Sequence, residues 1–177
     1  MVRARPPAIV VGTQVMRMRP IAGMGVALVL LMASAPRCAT VYVVWNASPS
    51  TPIGLYSIVH RRPEVGELAL VRLPEHLAEF ADRHGYLPRS ALLLKPIAAS
   101  AVDRVCRFGA DVFVQSHLVA RAVTEGEPLP PWRGCRTLRG SELFLLAEHP
   151  ASFDSRYFGP VHAKHVIGTA IPLWRIQ

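Results

Sequence analysis

Residues 91–99 read Ala-Leu-Leu-Leu-Lys-Pro-Ile-Ala-Ala. A run this short and this apolar has the length of a buried strand rather than of a helix. Similar short apolar or β-branched runs occur at 55–59, 68–73, 102–107, 111–114, 143–147 and 166–172, separated by Gly, Pro and charged residues. That rhythm predicts strands joined by turns. Residues 75–84, EHLAEFADRH, follow Pro74 and form the one good amphipathic helix. The Pro-, Gly- and charge-rich stretch 124–136 reads as a surface loop. The expected class is mostly β, a small barrel or packed sheets.

The lysine in that first run is unusual for this chain. Of 20 basic residues only Lys95 and Lys164 are lysines; the other 18 are arginines. Arginine keeps its proton at ordinary pH, whereas a desolvated lysine can give it up. A buried Lys95 amine could therefore take the proton of a serine hydroxyl without any histidine. The plain alternative is an edge-strand lysine that guards against aggregation, and the scarcity of lysine argues against it.

The rest of the chain says where such chemistry would sit. The 177 residues are 51% hydrophobic and 18% charged, with a net charge of +8. Arg3, Arg5, Arg17 and Arg19 supply half of that excess within residues 1–20, which hold no acid. The remainder shows no basic stripe with interleaved aromatics, so nucleic acid is not an expected partner. Residues 21–34 carry no charge, and the apolar character resumes after Arg37 as far as Trp45. Read as one helix, 21–45 exceeds the roughly 20 residues that span a bilayer. The arginine-rich leader would stay cytoplasmic and 46–177 would face outward. A cleavable signal peptide is the rival reading, since Ala33-Ser34-Ala35 has the small-x-small pattern, but Pro36 suits such a site poorly. The expected organisation is thus a basic leader at 1–20, a membrane anchor at 21–45 and an outer domain at 46–177.

Two more segments carry candidate chemistry. Residues 46–56 read Asn-Ala-Ser-Pro-Ser-Thr-Pro-Ile-Gly-Leu-Tyr, where Pro49 and Pro52 stiffen the backbone around Ser50. Ser48, two residues earlier, could point the same way and donate to an oxyanion. Taken alone, this could be an ordinary Ser/Pro linker. Residues 151–159 read Ala-Ser-Phe-Asp-Ser-Arg-Tyr-Phe-Gly, and in an extended stretch Ser152, Asp154 and Arg156 share one face. Ser152 could then orient a buried lysine amine, while Asp154 and Arg156 pair as a brace. Cys106 and Cys135 flank the long loop and could form a disulfide in an oxidising compartment.

These segments, in this order, resemble bacterial type I signal peptidases, the Ser–Lys family S26. The Ser-x-Ser-x-Pro segment after an anchor resembles their nucleophile box, the Leu-Leu-Leu-Lys run their lysine box, and 152–159 their last box. Pro-x-Gly-Leu-Tyr after the nucleophile, a single short anchor and the small size resemble one branch, the TraF-like peptidases of conjugative transfer. The resemblance covers about residues 46–170. It implies Ser50 as nucleophile and Lys95 as general base. It also implies Ser48 with the Ser50 backbone N–H as oxyanion hole, and Ser152, Asp154 and Arg156 as support. Thr51 stands where the family usually has Met, Pro96 where Arg is common after the lysine, and His149-Pro150 replaces a Gly-Asp-rich start.

The expected function is a membrane-anchored serine endopeptidase that cleaves exported precursors, with maturation of a conjugative pilin subunit as the implied task. Its expected place is the bacterial inner membrane, single pass, with the catalytic domain in the periplasm and other mating-pair proteins as further partners. The alternatives are a housekeeping type I signal peptidase and a non-catalytic envelope-tethered β domain that binds a secretion or pilus component. No cofactor and no metal are expected: His162-x-x-His165 has no supporting Cys or carboxylate cluster, and its flanks read as a turn between strands. There is no Gly-x-Ser-x-Gly elbow and no phosphate-binding Gly loop.

Overall fold

The computed structural model describes residues 43–123 and 132–176. Eleven strands and one full helix appear among them. In chain order they are β1 (Val43–Asn46), β2 (Gly54–Val59), β3 (Leu68–Arg72), α1 (Glu75–Arg83), β4 (Leu92–Ala99), β5 (Arg104–Phe108), β6 (Asp111–Val114), β7 (His117–Arg121), β8 (Gly134–Thr137) and β9 (Glu142–Leu145). A short helix α2 (Ser155–Phe158), β10 (Val161–His162), a 3-10 turn (Ala163–His165) and β11 (Val166–Arg175) complete the order.

The strands form a seven-stranded sheet ordered β1-β2-β11-β3-β4-β9-β10 and a four-stranded sheet ordered β7-β6-β5-β8. All pairings are antiparallel. Long β11 fills the gap between β2 and β3, so the sheet curls around a chain segment from the far end of the sequence. The expectation of a β-rich domain holds. The large sheet stays open among the described residues, with β1 and β10 at its edges.

Side-chain alternation explains the layers. Leu93 and Ile97 of β4 pack with Ala69, Val71, Leu143 and Leu145 against the buried stripe Leu77, Ala78 and Ala81 of α1. Leu94, one residue out of phase, packs on the other face with Tyr56, Ile58 and Leu70. Both faces of β4 are therefore covered, which is why its sequence reads as a continuous apolar run. A third cluster of Ala99, Val105, Val112, Leu138 and Phe144 joins the two sheets.

Three expectations need correction. The apolar run reads as one helix to Trp45, but Val43–Asn46 is a strand paired with β2, so the outer domain begins by residue 43. Its period-2 neighbours across β2 satisfy its backbone groups, which a lone helix end would not. The remainder of the expected anchor, residues 1–20 of the leader and Cys38 lie outside the described residues. Among those described, no helix is long and apolar enough to cross a membrane. The 124–136 loop is also shorter than expected, since Gly134–Thr137 pairs with β5 as β8. Residues 124–131 lie outside the described part. Finally, 155–158 is a helical turn rather than extended chain.

Gly54 opens β2 opposite Arg175 and Asn46. A Cβ there would stand 2.1 Å from the Trp174 carbonyl oxygen and 2.9 Å from the Arg175 Cα. Neither backbone atom can yield without breaking the β2–β11 ladder. Gly54→Ala is expected to cost about 1–3 kcal/mol by overpacking. Thermal unfolding checks this, and an unchanged midpoint would show that the ladder can shift.

Candidate active site

The β1–β2 connection presents Ser50, and Asn46 at its base organises it. The buried Asn46 amide donates to the carbonyls of Ser48 (2.9 Å), Thr51 (2.8 Å) and Pro52 (3.1 Å), and its oxygen accepts from the Ser48 N–H at 3.1 Å. Tyr56, fully buried in β2, donates its hydroxyl to the Pro52 carbonyl at 2.6 Å. Thr51 is buried as well and donates to the Leu94 carbonyl at 3.0 Å. That bond fastens the loop to β4 one residue before Lys95. The segment is thus a fixed turn rather than a loose linker.

Lys95 shares its strand face with Leu93 and Ile97 and stands opposite Ala69 of β3. The small alanine leaves the long amine room to lie along the sheet. Lys95 is only 4% exposed. Its Nζ donates to Ser50 Oγ at 2.5 Å and to Ser152 Oγ at 2.8 Å. Burial lowers its pKa from 10.5 to about 8; the Asp154 carboxylate opposes that shift and the Arg156 guanidinium adds to it. At neutral pH about a tenth of such an amine carries a lone pair able to accept a proton.

Ser48 and Ser50 face one another, with their hydroxyl oxygens 2.9 Å apart. The Ser50 N–H donates to Ser48 Oγ at 3.4 Å. The expected oxyanion donors are therefore brought together, but each is engaged with the other in this arrangement. Turning the Ser48 hydroxyl about its single χ1 would release both toward a substrate oxygen.

Ser152, Asp154 and Arg156 are all buried. Asp154 caps α2 by accepting from the Arg156 N–H at 3.2 Å, and accepts from the Arg156 Nε at 2.8 Å. The guanidinium also donates to the carbonyls of Pro150 (3.0 Å) and Ala147 (2.5 Å). The expected pairing is present, although a cap and helical turn bring it about rather than strand alternation. Cys106 and Cys135 lie opposite one another in β5 and β8 and are joined as a disulfide. His162 caps the 3-10 turn and His165 ends it, and the His162 ring accepts from the Lys164 N–H. Among the described residues no cluster of three His, Cys, Asp or Glu is placed to hold a metal.

A cleft of about 250 Å³ opens beside these groups. Ser48, Ser50, Lys95 and Ser152 are among its lining, together with Tyr86, Leu87, Leu92 and Phe153. Its mixed lining suits a segment with small or apolar side chains, whose carbonyl would meet the serines and Lys95.

A model of the family described as signal peptidase, peptidase S26, matches residues 16–174. The chain belongs to the S26 signal peptidase family. That membership makes the expected class a serine peptidase of the signal-peptidase type. A probable conjugal transfer protein TraF of Sinorhizobium fredii (strain NBRC 101917 / NGR234) is 34% identical over 139 residues, covering 71% of this chain and 73% of that one. A plasmid transfer protein TraF of Escherichia coli is 28% identical over 160 residues, covering 81% of this chain and 88% of that one. Among solved structures, a signal peptidase I of Enterococcus faecalis V583 aligns with a TM-score of 0.37 at 16% identity, over 63% of this chain and 98% of that one.

Within this S26 member, Asn46, Thr51 and Tyr56 are the site residues that sequence reasoning missed. Asn46 and Thr51 sit inside the quoted serine segment, and their side-chain capacity to bond nearby backbone was the available signal. Which carbonyl Thr51 would reach, 43 residues away, had none.

Proposed function

We propose that this S26 protein is a membrane-anchored serine endopeptidase in which Ser50 is the nucleophile and Lys95 the general base. The observation that carries the reading is the 2.5 Å approach of a buried lysine amine to the Ser50 hydroxyl. In the reacting form neutral Lys95 accepts the Ser50 proton as Ser50 Oγ attacks the scissile carbonyl carbon. The Ser48 hydroxyl and Ser50 N–H stabilise the oxyanion. The protonated amine then passes its proton to the leaving amine, the C–N bond breaks, and an acyl-enzyme remains. Lys95, neutral again, takes a proton from water, whose oxygen attacks the ester and frees Ser50. Ser152 holds the amine in line throughout, and the Asp154–Arg156 pair fixes the segment that carries Ser152.

The substrate we propose is an exported precursor, a conjugative pilin subunit, cut at its leader junction. The similarity to conjugal transfer proteins supports that context, and the cleft beside Ser50, with Leu87, Leu92 and Phe153 in its lining, supports an extended leader segment as ligand. The apolar run before β1 and the arginine-rich leader support a single-pass inner-membrane location with the domain on the periplasmic side. The test is co-expression of the full chain with a pilin precursor, read by product mass. One cut at the leader junction that disappears in Ser50→Ala supports the reading. A cut that persists in Ser50→Ala defeats it. Cleavage of general secretory precursors but not the pilin would assign a housekeeping role instead.

A pH dependence follows from Lys95. Only the neutral amine can accept the serine proton, so kcat/KM should rise with pH and reach half its plateau near pH 8. Below that pH, activity should fall about tenfold per unit. A flat profile between pH 6 and 9 would exclude Lys95 as the titrating base.

A further inference from the structure

Ser50 and Lys95 are carried by the large sheet, but Ser152 is not. It lies in the segment between β9 and α2, which forms no ladder of its own. Its supports are few. The Ser152 N–H donates to the His149 carbonyl at 3.0 Å. The Arg156 guanidinium holds the carbonyls of Ala147 and Pro150, and Asp154 accepts from the Ala147 N–H at 3.1 Å. Most side-chain hydrogen bonds that hold this segment therefore run to Asp154, Ser155 and Arg156 at the start of α2, while Phe153 stacks on Tyr86.

Those residues are held in turn from the other sheet. Arg107 of β5 is 7% exposed, and its Nη1 donates to the Arg156 carbonyl at 2.8 Å while Nε donates to the Gly109 carbonyl at 3.0 Å. The Trp132 Nε1 donates to the Ser155 carbonyl at 3.1 Å. The Trp132 indole also lies against Gly159, where a Cβ would come within 3.3 Å of it, and meets Phe144 edge-on. Arg107 follows Cys106 directly, and Trp132 comes three residues before Cys135. The disulfide thus ties together the two stretches that reach α2. A buried arginine directed at backbone carbonyls, with no carboxylate partner among the described residues, is a costly arrangement for mere packing.

We infer that Arg107 and Trp132 are positioning residues for the peptidase site, presented by the disulfide-bonded β5–β8 pair and acting through the carbonyls of Arg156 and Ser155 to hold Ser152 against Lys95. The inference deepens the reading proposed above and rests on it only for what Lys95 does. Neither residue touches the cleft. Releasing either carbonyl lets α2 and the Ser152 segment move off the amine, and water then reaches Nζ. The hydroxyls of Ser50 and Ser152 meet that amine, and Asp154 and Arg156 act on its charge. All four remain in the Arg107 and Trp132 variants below.

With only two lysines in the chain, Lys95 can be watched directly. The full chain in detergent micelles, carrying Lys164→Arg and [6-13C]lysine, gives one lysine side-chain signal whose pH midpoint is measured by NMR. Arg107→Met and Trp132→Phe are each expected to raise that midpoint by about one pH unit, as the amine regains water. Arg107→Lys keeps a donor toward the Arg156 carbonyl and should recover part of the shift. Trp132→Phe keeps an aromatic ring beside Phe144 while removing the N–H with the pyrrole part of the indole, so it decides the matter if Arg107→Met does not fold. An unmoved midpoint in variants that still unfold cooperatively overturns the inference. Ser50→Ala separates the two readings: if it cleaves like wild type while the Lys95 midpoint moves in the brace variants, the dyad falls and the brace stands.

Discussion

Ser50→Ala, Lys95→Met and Lys95→Arg are each expected to lower kcat/KM on the precursor by about 10⁴-fold or more, because nucleophile and base act as one unit. The double variant should be scarcely worse than either single one, for the same reason. Lys95→Arg is the sharpest of these. It preserves the positive charge beside Ser50 and Ser152 yet cannot release a proton at any pH the protein survives. If charge alone mattered, Arg would serve; if proton transfer matters, Arg is as silent as Met. Loss of fold is not the expected cause. The folded-state pKa of Lys95 is lowered from 10.5 to about 8, so at neutral pH folding holds a charged amine out of water at a cost. That penalty is fully present below pH 8 and fades as pH rises from 8 toward 10.5, so removing the amine lifts it at neutral pH. Cooperative thermal unfolding of Lys95→Met at or above the wild-type midpoint, together with lost cleavage, is the expected pair of results. Retention of a tenth or more of the activity in Lys95→Arg would remove Lys95 from the mechanism.

The largest stability effect is expected at Asp154 and Arg156. Their side chains are 0% and 2% exposed and meet at 2.8 Å. Asp154 accepts from the Arg156 N–H, Nε and Nη2 and from the Ala147 N–H, and Arg156 also holds two carbonyls. Removing one partner leaves a buried charge without its counter-charge and loosens the Ser152 segment. Asp154→Ala and Arg156→Met should each cost about 3–5 kcal/mol. For a domain of this size that corresponds to a fall of about 10–20 °C in Tm. Activity should fall further than the folded fraction explains, since Ser152 loses its support. Arg156→Lys should rescue little, because one ammonium cannot reproduce a planar fork aimed at a carboxylate and two carbonyls. A Tm within a few degrees of wild type in both Asp154→Ala and Arg156→Met would show that water replaces the pair without loss.

Much of this was legible in the chain itself. Seven apolar runs of strand length separated by Gly, Pro and charge determined a β-rich domain, because backbone pleating translates period and length directly into buried faces. The amphipathic stripe that follows Pro74 determined α1 for a similar local reason. Two lysines among 20 basic residues singled out Lys95, since side-chain chemistry does not depend on where the chain goes next. Tertiary structure decided everything that depends on distant backbone. Val43–Asn46 is as apolar as the run before it, and only the β2 edge makes it a strand. Residues 155–158 wind into a turn because the Asp154 cap and Arg156 close on one another inside a pocket that Arg107 and Trp132 complete. Ser50 meets Lys95 because Thr51 reaches a carbonyl 43 residues away. Such contacts are chosen by which surfaces the sheets leave facing each other, and sequence spacing carries no record of that.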